Sequence, residues 1–163
     1  MAHDGQDIST MTNSVILPEL LSLTGAAIAP VNAVFEAARE SVRGLVSADG
    51  KISGALIEAN QTAAHGLSWL ATYQQSLQQM HRWAETLNGE GKFGEIEQLL
   101  LQIAFGEYLH QIAGGIPMNQ GEVVRLQDMG LGWDALAGFQ AAEVQSLMTS
   151  GNSQAARSRL VEL

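Results

Sequence analysis

Between Leu56 and Leu87, apolar or small residues recur at Leu56, Ala59, Ala63, Gly66, Leu70, Tyr73, Leu77, Met80, Ala84 and Leu87. Every step is three or four residues, in alternation. That spacing keeps one side of an α-helix oily along its whole length and suits packing nearly parallel or antiparallel to neighbouring helices. It predicts one helix over residues 53–87, ~50 Å long at the usual rise. Ala59, Ala63 and Gly66 make its first half thin, so another backbone should approach there. Trp69 and Trp83, two heptads apart, thicken the opposite flank.

The rest of the chain has the same period. Residues 17–25, "LPELLSLTG", read as a short helix with Pro18 in its first turn and Gly25 at its end. A second helix is expected to begin near Pro30, with Val31, Phe35, Ala38, Val42 and Leu45 as its seam, closed by the turn "SADGK". After the turn "NGEGKFG", residues 93–113 carry "LLLQIAF", apolar on nearly every side and so expected at the centre. Leu100 and Ile103 are expected to be core residues there, each worth about 2–5 kcal/mol on truncation to Ala. "GGIPMNQGEVV" reads as a loop, followed by a weaker helix over residues 134–148 and a last short one begun at Asn152. The fold class is therefore all-α. It is an antiparallel helical bundle with one long central hairpin, about residues 53–88 and 93–113, and shorter flanking helices. Residues 1–14 read as a disordered tail and residues 15–163 as a single helical domain.

Charge and composition exclude several functions. Eight basic and seventeen acidic residues give a net charge of −9, and the basic ones are scattered. Nucleic acid and anionic membrane surfaces both need clustered Lys and Arg, so neither is expected as a partner. The stretch over residues 15–31 contains Pro18, Glu19, Gly25 and Pro30, too many interruptions for a membrane span. No cysteine is present, which excludes disulfides and thiolate chemistry and leans towards the cytoplasm. The acidic, polar start of the chain lacks the basic region of a secretory signal.

Candidates for chemistry are few. Glu107 and His110 are three apart, the half-site spacing of carboxylate-bridged di-metal proteins. Such sites need a second Glu-x-x-His and further inward glutamates. His65 and His81 have Thr62 and Gln78 three residues upstream, so no metal is expected. "GLGWDA" matches a dinucleotide fingerprint in form, but that motif needs a preceding strand, and none is expected. "GGIPMNQGE" lacks the Lys-Ser or Lys-Thr of a phosphate loop. No catalytic residue is legible. His65 and Trp69, one turn apart, together with Trp83, Glu107 and His110, are instead the expected interface residues.

Two segments are more specific. "AAHGLSWLATYQQSLQQMHRWAETL" and "GKFGEIEQLLLQIAFGEYLHQIAGGIPMNQGEVVRLQDMGL" resemble the helical amino-terminal extension of one acyl-CoA dehydrogenase group. The likeness covers residues 53–131, and the flanks only in helical character. Members of that family hold FAD and a catalytic glutamate in a large body that follows the extension. They oxidise the Cα–Cβ bond of an acyl-CoA and pass electrons to an electron-transfer flavoprotein. This chain reaches "RLVEL" about where such a body would begin, so none of those roles transfers to its residues. The resemblance implies a non-catalytic domain with no cofactor of its own, docking on a dehydrogenase body to shape the acyl-CoA pocket or the oligomer. A second reading is a stand-alone helical module for a partner protein or a small apolar ligand, and a third is a metal- or flavin-dependent enzyme in its own right.

Overall fold

The computed structural model describes residues 15–163; the expected tail, with His3, lies outside the described residues. Six α-helices, α1 (Leu20–Leu45), α2 (Gly54–Ala59), α3 (Gln61–Gly89), α4 (Glu95–Gly114), α5 (Ala142–Ser146) and α6 (Gln154–Glu162), make the protein predominantly helical, as its periodicity predicts. Two antiparallel two-stranded ribbons interrupt them, β1–β2 (Ser47–Ala48, Lys51–Ile52) and β3–β4 (Ile116–Asn119, Glu122–Val124). Between β4 and α5 run two 3₁₀ segments, Leu126–Met129 and Trp133–Gln140.

One continuous helix, α1, replaces the two helices expected on either side of Gly25 and Pro30. A proline inside a helix loses a hydrogen bond and costs about 3 kcal/mol. The offset is a stripe that passes straight through it. Leu20, Thr24, Ala27, Val31, Val34, Ala38 and Val42 are all buried, in steps of three or four. Each fully buried aliphatic contributes about 1.5–3 kcal/mol, so the stripe outweighs the proline. Gly138 packs on the Pro30 ring, where a Cβ would come within 3.1 Å. Among the described residues α1 alone is long and apolar enough to cross a membrane by length and composition. Gly25 and Pro30 do not break it, so the expected interruptions carry no argument against a span. In this fold its stripe faces α3 and the segments around Trp133–Ser146.

The long helix expected over residues 53–87 is broken at Asn60, whose backbone leaves the helical region (φ −122°, ψ 36°). Asn60 Nδ2 donates to the carbonyls of Leu56 (2.9 Å) and Leu45 (3.3 Å), tying the end of α2 to the end of α1. Ala59 is consequently exposed and leaves the seam. From Ala63 the seam holds, with Ala63, Gly66, Leu70, Tyr73, Leu77 and Ala84 buried. The thin start is filled by β4: a Cβ on Gly66 would meet Val124 Cγ2 at 2.5 Å.

Both ribbons occupy stretches expected to be turn or loop. Asp49 and Gly50 both have positive φ (51° and 75°), the backbone of a tight two-residue hairpin loop. In the second ribbon Ile116 pairs with Val124, and both are buried at 1% exposure, which anchors a short hairpin that period alone does not reveal. The helix expected over residues 134–148 is 3₁₀ up to Gln140 and α only over Ala142–Ser146, with Ala141 extended between them. Ser153, not Asn152, caps α6, its Oγ accepting from Ala156 N at 3.1 Å.

The core lies where α1, α3 and α4 meet. Leu70, Leu77, Leu101, Phe105 and Leu109 are fully buried there. Gln102, also fully buried, accepts from Leu17 N (2.9 Å) and donates to Val15 O (2.8 Å), so it holds the segment before α1 by its backbone.

Candidate functional site

More of α4 is apolar than the core can cover. Leu99, Leu101, Gln102, Phe105, Leu109 and Ile112 point inward. Leu100 is 42% exposed, which corrects its assignment to the core, and Ile103 is half-buried. The reason is geometric: α3 and α6 flank this face of α4 and leave its middle uncovered. Leu100, Ile103, Ala104 and Tyr108 of α4 then face Met80 and Trp83 of α3 across an open trough of about 740 Å³. Glu107, Asn152 and Arg157 also line it.

The polar part of the trough is one directional network. Arg157 donates to Asn152 Oδ1 and to its carbonyl, both at 2.7 Å. Asn152 Nδ2 donates to Glu107 Oε2 at 2.5 Å, and Gln111 Nε2 donates to Glu107 Oε1. The Tyr73 hydroxyl donates to Gln111 Oε1, and its ring stacks on Tyr108 with centroids 4.4 Å apart. Burial, then the neighbouring Tyr108 and Glu107, push the Tyr73 phenol above its ordinary value, so it stays a neutral donor. Glu107 therefore has both oxygens hydrogen-bonded, and each keeps capacity for a further donor.

The five residues singled out from the sequence fall in three places. Trp83 and Glu107 line the trough. His65 and Trp69 sit at the other end of α3, where the indole N–H donates to His65 Nε2 at 3.1 Å. Rings link the two regions, Trp69 meeting Tyr73 edge-on with centroids 6.4 Å apart. His110 is exposed, and its Nδ1 lies 2.9 Å from the Gly106 carbonyl, which can only accept. Glu107 and His110 thus bond to different partners. Among the described residues no three or more His, Asp or Glu side chains gather as a metal-ligand set. Sequence reasoning missed Met80, Leu100, Ile103, Tyr108, Asn152 and Arg157 as trough residues. The signal for α4 was present: a helix oily all round needs cover on every side.

A flavin does not fit the trough. Its diphosphate needs cations or free N–H groups. Among the described residues Arg157 is the one cation lining the trough; its guanidinium is already bonded to Asn152 and Gln154, and Glu107 adds negative charge.

A helical bundle with these two segments resembles a stretch of an acyl-CoA dehydrogenase, and comparison with known proteins bears that out. One similar protein is (2S)-methylsuccinyl-CoA dehydrogenase of Cereibacter sphaeroides, 51% identical over 153 residues. The match takes in 94% of this chain and 27% of that enzyme, so the chain spans about a quarter of the length of its relative. No protein-family model matches the chain.

Proposed function

We propose that this chain is the helical accessory domain of a flavin-dependent acyl-CoA dehydrogenase of the methylsuccinyl-CoA dehydrogenase type. It docks on the dehydrogenase body, where it shapes the acyl-CoA pocket or supports the oligomer, in the cytoplasm. The observation that carries this reading is the 51% identity along nearly the whole chain to one part of such an enzyme. The body supplies FAD and the reacting groups; this chain supplies apolar surface that excludes water from what it covers. Mixing the chain with a dehydrogenase body that retains its flavin but lacks this stretch tests the reading. A stable complex at micromolar concentration is expected, and separate elution would refute it.

One observation favours a second reading, a module for a small apolar ligand: the trough volume lies within the range of ligand sites. Saturable binding of an apolar fluorescent probe, lost on filling the trough by Ala104→Trp, would support that reading. Failure of the probe to bind would remove it.

A further inference from the structure

We infer that the trough between α3 and α4 seats one helix of the dehydrogenase body, with an apolar face towards Leu100 and Trp83 and a side-chain donor, Lys or Arg, towards Glu107. The inference rests on the docking reading above and adds the seat and the chemistry of its occupant. Ile96 and Leu100 are both 42% exposed, and Trp83 is 38% exposed. Ile96, Leu100 and Ile103 follow one another at helical spacing, so one edge of α4 stays oily for about three turns as far as Glu107, roughly 16 Å. A groove between two packed helices accepts a third helix of that length, ridge into groove.

Three observations choose among occupants. The trough is open along its length, whereas small-ligand sites enclose most of their ligand. A second copy of the chain would bring a charge of −9 against −9, which opposes self-association. The similar enzyme extends well beyond the matched 27%, so a large body is joined to the corresponding stretch there. The polar requirement comes from Glu107. Among the described residues no cation lies within ion-pair distance of its carboxylate, because Arg157 reaches it only through Asn152. A cation entering the trough would meet a carboxylate already fixed in place, which favours a charge-assisted bond.

The test measures affinity between the chain and a flavin-retaining body of the Cereibacter enzyme without its matched 153 residues. Leu100→Glu places a charge on the exposed floor of the trough, and circular dichroism checks that the chain stays folded. Trp133→Glu is the comparison, since Trp133 is 71% exposed and does not line the trough. Expected is a rise in Kd of about thirtyfold or more for Leu100→Glu, the scale of a buried hot spot. Trp133→Glu should leave Kd within about threefold, as for a residue outside the interface. Equal binding by Leu100→Glu and the unaltered chain overturns the seat alone. No binding by the unaltered chain overturns the docking reading and the seat together. Self-association of the chain that Leu100→Glu abolishes makes the occupant a second copy and overturns the inference as well.

Discussion

Replacing Gly106 by Ala tests the packing that sets one end of the trough. Gly106 lies in α4 against the turn of π-type helix at Leu147–Gly151 and the residue that follows it. A Cβ there would stand 2.6 Å from Asn152 N and 3.0 Å from the Leu147 carbonyl. Both obstacles are backbone, so α4 and the turn must part by roughly 0.8 Å to restore ordinary contact, and a close-packed interior resists that. In an open helix the same change gains about 1 kcal/mol from propensity. Overpacking costs about 1–3 kcal/mol, and two facing backbones place it at the upper end. The net expectation is a loss of about 1–2 kcal/mol, or about 2–8 °C in Tm for a chain of this size. Gly44→Ala is the matched control, because it too is helical and nothing lies within 4 Å of its Cβ position. It should gain about 0.5–1 kcal/mol. Thermal unfolding followed by far-UV circular dichroism reads both. A Gly106→Ala protein melting at or above the unaltered chain would refute the close approach of α4 to the turn.

Three further outcomes are expected. Leu99→Ala should cost about 2–5 kcal/mol and its neighbour Leu100→Ala less than about 1 kcal/mol, measured by urea unfolding; equal costs would mean that the orientation of α4 is wrong. Gln102→Leu removes both bonds to Val15 and Leu17, at a cost of about 1–3 kcal/mol, and should speed hydrogen exchange at the Leu17 amide; unchanged exchange there would contradict the clamp. Arg159 grips Glu95 through two bonds of 2.6 and 2.8 Å and holds that carboxyl below its ordinary value of 4.5. With a depressed folded-state pKa the stabilisation is complete above that ordinary value and is lost as pH falls from it through the lower folded-state value. Protection of α6 amides should therefore drop on acidification, and Glu95→Gln should flatten that dependence.

Much of the helical architecture was legible because burial writes itself into spacing. The seam from Ala63 to Ala84 could be read directly, since each of its members packs on the same side. Pro30 and Asn60 were misjudged for opposite reasons. Local rules end a helix at Pro30, yet the buried stripe of α1 runs through it and outweighs the break. Nothing local ends a helix at Asn60, yet its side chain reaches across to Leu45 O, a contact that exists only once α1 is placed. The ribbon at Ile116–Val124 is held by two residues whose burial depends on α3 lying alongside.

Taken alone, the sequence determined that amphipathic helices pack on one another, that no metal or nucleotide motif is complete, and that two segments resemble an acyl-CoA dehydrogenase. Those properties are local or compositional, and period, charge and residue order carry them. Only the tertiary structure decided which side of α4 stays uncovered and which residues face it. A helix oily on all sides has no preferred direction in its own sequence, so its neighbours choose the face. By leaving Leu100 and Ile103 opposite Met80 and Trp83, they also make the trough.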